Sequence, residues 1–91
     1  MAAVRLLLFA RAREAAGRRD EVLEAATLGE LLALANARYG VGFTAVLDAS
    51  RVWINGDEPA AGPFTPLSDG DEVAVLPPVS GGAESAGPAL A

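Results

Sequence analysis

Two adjacent glycines near the C-terminal end are the residues best suited to chemistry. Gly81 and Gly82 follow residues 77–80, in which two consecutive prolines form a rigid spacer. Because glycine has no Cβ, a Gly-Gly backbone can pass through a narrow channel and present a carboxyl group to a reagent held by another protein. Alone the pair is a weak signal, since diglycines are common in chain tails. The interpretation therefore depends on its setting.

Cysteine, histidine and lysine are all absent from the chain. Without them there is no thiolate, no imidazole base and no Schiff-base or P-loop lysine, which removes most self-sufficient catalytic chemistry. Carboxylates, hydroxyls and backbone groups remain. We therefore expect a binding module without an independent active site, with no metal site and no bound cofactor.

Composition limits the partners and the location. The chain of 91 residues is 52% hydrophobic and 21% charged, which is typical of one small globular domain. Its net charge of −5 argues against binding to nucleic acid, which requires a basic surface. The longest apolar run, residues 6–10, is far too short to span a membrane. We expect a cytoplasmic protein with neither a nucleic-acid nor a membrane partner.

Three carboxylates and one aromatic side chain are the other candidates. Asp69, Asp71 and Glu72 are of a type that binds calcium, but their spacing lacks an EF-hand loop. A tight turn that leads into a strand explains them without a ligand. Trp53, the only tryptophan, is expected in the core or half-buried beside the main helix, and a binding role is the less favoured interpretation.

The clearest element that positions these residues is a helix at residues 27–40. It begins with a capping box, in which the Thr27 hydroxyl accepts from the Glu30 amide and the Glu30 carboxylate accepts from the Thr27 amide. Apolar residues at helical spacing follow as far as Gly40, which favours a left-handed stop. The remaining segments predict a buried strand at 4–10, a helix-prone stretch at 11–16 ended by Gly17, and strands at 20–25, 44–48, 51–55 and 72–76.

This order predicts an α+β domain, a β-grasp mixed sheet with one main helix packed on one face and the first and last strands at the centre. One helix leaves the other face of the sheet open. Alternation along the strands places an apolar patch there, with Arg5 and Glu72 at its rim. The patch consists of Leu7, Phe9, Ala74 and Leu76. It is either a docking surface for a partner or a surface covered by residues 59–66 with Phe64.

Three segments resemble the small subunit of molybdopterin synthase, a family of ubiquitin-like sulfur carriers. Residues 69–74 (DGDEVA) and 77–82 (PPVSGG) are similar to its C-terminal signature, and residues 8–14 (LFARARE) are similar to its first strand and the Arg-Glu turn that follows. With the predicted helix, the resemblance spans residues 4–82. It implies a β-grasp sulfur carrier of molybdenum cofactor biosynthesis.

The resemblance also implies a division of labour between this chain and its partners. Gly82 matches the glycine that is adenylated and then thiocarboxylated, and Gly81 and Ser80 match the threading residues. The ATP and magnesium belong to a ubiquitin-activating-like enzyme, a sulfur donor enzyme supplies the sulfur, and the large synthase subunit accepts the tail. The chain itself is implied to be a non-catalytic, sulfur-donating subunit.

The open-face patch receives a role from the same resemblance. Phe9 and Leu76 match the family's hydrophobic docking residues. Arg13 matches the arginine after the first strand, for which a polar contact at the same interface is expected. Leu7 and Ala74 complete the predicted partner-binding surface.

The sequence departs from the family pattern after the diglycine, because residues 83–91 follow Gly82. An internal glycine has no free carboxylate and cannot be adenylated. We therefore expect a carrier domain at residues 1–82 and an extension at 83–91 that a protease removes by cutting between Gly82 and Ala83. The other interpretation is a paralogue that has lost the chemistry.

Three further functions stay open on the sequence alone. The acceptor pathway could instead make thiamine, cysteine or another thiolated product, because the docking surface and not the diglycine selects the acceptor. A ubiquitin-like modifier would be conjugated to lysines of target proteins. An inert β-grasp interaction module would keep its tail permanently.

Overall fold

The computed structural model describes residues 1–78, so the predictions on Ser80, Gly81, Gly82 and Ala83 lie outside the described residues. Within residues 1–78 no helix has both the length and the hydropathy needed to cross a bilayer. The elements are β1 (Ala2–Leu8), α1 (Ala10–Ala16), β2 (Asp20–Ala25), α2 (Leu28–Tyr39), α3 (Val41–Asp48), β3 (Arg51–Ile54), a 3₁₀ turn (Gly62–Phe64) and β4 (Glu72–Leu76).

The four strands form one mixed sheet in the order β2-β1-β4-β3. The first and last strands, β1 and β4, lie parallel at the centre, and β2 and β3 pair antiparallel with them at the edges. The predicted β-grasp topology is confirmed. Because the central pair is parallel, the C-terminal ends of β1 and β4 lie at the same edge of the sheet.

The core lies between one face of this sheet and the helices. In β1 the buried residues alternate with residues that are exposed or half-buried, as the period of a strand requires. Val4, Leu6 and Leu8 point to the helices, and Val73 and Val75 of β4 join them. All five side chains are almost completely buried. The apolar surface that they remove from water therefore determines which face of each strand points to the core.

Both predicted helical segments before residue 40 are present. α1 ends at Gly17, which adopts the left-handed conformation with φ of 77°. At the start of α2 the Glu30 amide donates to Thr27 Oγ1 at 3.3 Å, as predicted. The Glu30 carboxylate accepts from the amide of Ala26 at 2.9 Å, one residue before the expected partner, Thr27.

The prediction of a strand at residues 44–48 is wrong, because this segment belongs to helix α3. Gly40, with φ of 91°, ends α2 and redirects the chain. Phe43 and Leu47 then bury their side chains four residues apart, which is the spacing of one helical face. The layer on the sheet therefore contains α1 and α3 in addition to the predicted main helix α2.

Candidate functional site

The face of the sheet opposite the helices carries the predicted apolar patch. Leu7 of β1 lies directly opposite Ala74 of β4 in the parallel register. Phe9 follows β1, and its amide donates to the Val75 carbonyl at 3.3 Å, which brings it beside Leu76. Phe9 is 44% exposed and Leu76 is 37% exposed, so both side chains are available to a partner. The structure thus brings these four residues together, and their role in binding stays a prediction.

Trp53 also lies on this open face. In the antiparallel pair of β3 and β4, Trp53 is opposite Ala74, whereas Val52 is opposite the helix-facing Val75. The prediction that Trp53 is half-buried is correct, but the prediction that it lies beside the main helix is wrong. The missed signal was the position of Val52 and Ile54, two β-branched residues that flank Trp53 and take the core-facing positions of this short strand.

Trp53 turns the patch into a shaped depression. Its ring, Phe9 and Leu76 form the walls of a shallow open volume of about 330 Å³, with Ala74 and Gly56 completing the lining. Gly56 belongs to a tight turn after β3, in which the amides of Ile54 and Asp57 each donate to the other's carbonyl. The geometry therefore offers a shallow apolar surface with charged residues at its rim, and an apolar centre with a polar rim is the usual composition of a contact site for a protein partner.

The alternative cover for this face, residues 59–66, lies elsewhere. The Thr65 carbonyl accepts from the amide of Leu28 at 2.9 Å, and Pro63 lies against Gly29, so this loop packs on the start of α2. Phe64 is 80% exposed there. The hypothesis that this loop covers the open face is therefore wrong.

A row of charges that runs from β2 across β1 to β4 borders the patch. Arg5 lies between two carboxylates, with its guanidinium 3.5 Å from Asp20 and 3.6 Å from Glu72. All three side chains are partly exposed, so these pairs add little to folding stability. Arg5 and Glu72 occupy the rim positions that alternation predicted, two residues before Leu7 and Ala74 on the same strands, and Asp20 of β2 lies opposite Leu7.

The acidic turn before β4 is structural. Asp71 accepts from the Ser68 amide at 2.8 Å and from the Asn55 side chain at 3.0 Å, and these bonds lower the pKa of Asp71. Asp69 accepts from the Ala3 amide at 2.8 Å. Both carboxylates thus fix the turn to neighbouring elements. In the described part of the chain no cluster of three or more carboxylates is arranged to hold a metal ion.

Arg13 and the proline pair lie at the same edge of the sheet as Phe9. The Arg13 amide donates to the Phe9 carbonyl at 3.4 Å, so Arg13 is in the first turn of α1. Its side chain is exposed and, among residues 1–78, lies within 4.0 Å of no carboxylate. Pro77 and Pro78 leave β4 beside α1 and α3 and line the groove between them. The polar contact predicted for Arg13 stays a prediction.

A polar cluster that no sequence pattern predicted connects β2 to the end of α2. The Glu21 carboxylate accepts from the Tyr39 hydroxyl at 2.5 Å and from the Arg38 guanidinium, and it also pairs with Arg18 at 3.3 Å. The Tyr39 hydrogen bond, followed by the two arginines, lowers the pKa of Glu21. Burial, and then Glu21, raises the pKa of Tyr39 to about 12. This cluster fastens the helical layer to the sheet.

The fold and the open face together define a class of protein. A parallel central strand pair, edge strands on both sides and helices on one face constitute the β-grasp of ubiquitin-like proteins, here with an apolar patch beside the exit of the last strand. Within this class the chain belongs to the ThiS family, whose model matches residues 6–82.

Individual relatives agree with this assignment. The chain is 31% identical over 86 residues to a molybdopterin synthase sulfur carrier subunit from Chlamydomonas reinhardtii, covering 87% of this chain and 98% of the relative. Among solved structures it is similar to small archaeal modifier protein 1 from Methanosarcina acetivorans, with 31% identity, a TM-score of 0.79 and coverage of 90% and 98% of the two chains. It is also similar to a molybdopterin-converting factor from Helicobacter pylori 26695, solved as a protein-protein complex of subunits 1 and 2, with 29% identity, a TM-score of 0.63 and coverage of 87% and 97%.

Proposed function

We propose that this chain is the sulfur carrier subunit of a molybdopterin synthase. The observation that carries the proposal is the position of the apolar patch beside the chain exit. Phe9 and Leu76 lie where β4 ends, and Pro77 and Pro78 continue from there towards the diglycine. From Pro78 to Gly82 the backbone can span at most about 14 Å. A partner seated on the patch is therefore within reach of the diglycine.

The proposed chemistry uses the carboxylate of Gly82 and enzymes outside this chain. A carboxylate is a poor electrophile, so a ubiquitin-activating-like enzyme with ATP and magnesium first joins it to AMP and releases pyrophosphate. A sulfur donor enzyme then replaces AMP with sulfur, which gives a thiocarboxylate. The described residues contribute a docking surface, and Pro77 and Pro78 form a rigid connection between β4 and the tail. Because adenylation consumes ATP, the proposal retains the cytoplasmic location expected from the sequence.

The large synthase subunit is the proposed acceptor of the tail. The Helicobacter structure, which contains subunits 1 and 2 together, supports such a pairing. The name of the Chlamydomonas relative supports sulfur carriage for molybdopterin. We place Leu7, Phe9, Ala74 and Leu76 at this interface, with Arg13 at its margin, while Ser80 and Gly81 pass through the acceptor's channel.

Removal of residues 83–91 is a necessary part of the proposal. Only a cut between Gly82 and Ala83 gives Gly82 a free carboxylate, and the family match that ends at residue 82 supports this boundary. Intact mass measurement of the protein purified from its native host tests it. We expect loss of nine residues, followed by a gain equal to one sulfur-for-oxygen exchange. A functional species that retains residues 83–91 would contradict the proposal.

A protein modifier is the second candidate function, and the likeness to the archaeal modifier at a TM-score of 0.79 favours it. Both functions require an activated Gly82, but they differ in the product. A modifier stays joined through Gly82 to lysines of other proteins, and because Arg51 is the last basic residue before it, trypsin leaves residues 52–82 on those lysines, whereas a carrier has a thiocarboxylate on its own Gly82. If the carrier serves another pathway, such as thiamine or cysteine synthesis, the acceptor protein that co-purifies with it will differ.

A further inference from the structure

We infer that Trp53 is part of the docking surface and that the depression beside it receives an apolar side chain from the large synthase subunit. This inference rests on the proposed function and specifies which strands the partner covers. The partner lies over β4 and β3, not over β2. The placement of Trp53 on the open face, which the sequence did not predict, is the starting observation.

The apolar surface is continuous from the chain exit to β3. Phe9, Leu76, Ala74 and Trp53 line a single depression, so a partner that contacts Phe9 meets Trp53 without crossing a polar boundary. Trp53 lies on the edge strand β3, and its side chain is half-buried. Tryptophan is one of the residue types that most often carry much of an interface's binding energy.

The surface has a different character on the β2 side. Val22 is 65% exposed on the same face, but the register places it opposite Arg5. The row of Asp20, Arg5 and Glu72 therefore lies beside Val22, and its Arg5–Asp20 ion pair separates Val22 from Leu7 of the patch. A partner that covered this row would have to remove paired charges from water, which costs more than burying apolar surface gains. This asymmetry gives the docking surface its direction.

The chemistry of the walls selects an apolar occupant. Trp53, Phe9 and Leu76 offer carbon surface to a side chain that enters the depression. Arg51, the charged residue of β3, does not line the depression, and its guanidinium lies 3.9 Å from the Glu58 carboxylate. A charged side chain from the partner would lose its hydration there without gaining an ionic partner, so an aliphatic or aromatic side chain is the occupant that fits.

Fluorescence of the wild-type carrier tests the inference directly, because Trp53 is the only tryptophan in the chain. The trimmed carrier is titrated with the large subunit from the same organism, and a parallel titration with Trp53→Phe is subtracted to remove the partner's emission. We expect the Trp53 emission to shift to the blue and its quenching by acrylamide to fall. Trp53→Ala should weaken binding about tenfold or more. Circular dichroism and thermal melting establish whether that variant is folded.

Two matched truncations of apolar residues serve as controls. Val22→Ala tests the β2 side of the same face, and Leu34→Ala tests an exposed leucine of α2 on the helical side. Both should bind like the wild type. If the complex forms while Trp53 stays fully accessible to acrylamide, the inference is wrong and the proposed function stands. If the wild type binds no large subunit, both fail. A carrier that dimerises alone with Trp53 protected would also overturn the inference, because a second copy would then fill the depression.

Discussion

Replacement of Phe9 by arginine should separate docking from folding. Phe9 is 44% exposed, and a phenylalanine side chain offers about 200 Å², so about 90 Å² is free for a partner. At about 25 cal/mol per Å², its burial contributes about 2 kcal/mol to binding. Because arginine must in addition bury its guanidinium, we expect Phe9→Arg to weaken binding at least about 40-fold. The methylene groups of arginine can still cover the part of the open face that the less exposed side of Phe9 covers, so the domain should remain folded.

Phe64→Arg is the matched control, because it is the same substitution at an exposed phenylalanine outside the patch. Phe64 lies in the loop that packs on the start of α2. Affinity for the large subunit is measured by calorimetry with trimmed protein, and folding is followed by circular dichroism and urea denaturation. Phe9→Arg should bind the large subunit more weakly but still show a cooperative unfolding transition in urea, which indicates a folded domain. Phe64→Arg should bind like the wild type. If Phe9→Arg unfolds the domain, Phe9 is a core residue. If it binds normally, the docking surface lies elsewhere.

Three further predictions concern the tail and the polar cluster. Deletion of Gly82 from the trimmed protein should abolish thiocarboxylate formation, measured by intact mass, without changing the melting temperature; sulfur loading that survives the deletion would refute its role. The lowered pKa of Glu21 means that its contribution to stability is present above the ordinary pKa of a glutamate and is lost as the pH falls through the lowered value. Urea denaturation between pH 7 and 2 should therefore show a steeper loss for the wild type than for Glu21→Gln, and equal slopes would contradict this. The pKa of Tyr39, raised to about 12, has the opposite sign, so stability should hold below the ordinary value of 10 and fall as the pH rises towards 12. Tyr39→Phe should remove this alkaline loss, as followed by denaturation together with tyrosine absorbance.

Local patterns were sufficient to predict the parts of the fold in which one segment decides its own structure. The capping box at Thr27 predicted where α2 begins, and Gly17 predicted where α1 ends. Alternation in β1 and β4 placed Leu7 and Ala74 on the open face. In each case the period of the element and the need to bury apolar side chains favour the same arrangement.

The errors occurred where distant segments decide the structure. Residues 44–48 form a short apolar run that suits a strand or a helix equally well, and the burial of Phe43 on the core selects the helix. The face on which Trp53 lies depends on the register between β3 and β4, which no single strand reveals. The cluster around Glu21 joins residues that are 17 and 18 positions apart, so helical or strand periodicity gives no sign of it.

The arrangement of the candidate site follows from the parallel pairing of β1 and β4. Parallel strands end at the same edge of a sheet, so the residue after β1, Phe9, and the residues after β4, Pro77 and Pro78, are necessarily neighbours. An antiparallel pairing would place Phe9 and Pro77 at opposite ends of a strand of five residues, about 16 Å apart. The partner would then hold the domain but lie beyond reach of the diglycine. On the proposed function, contact with the patch and capture of the tail are therefore one binding event, and a substitution at Phe9 should impair both to the same extent.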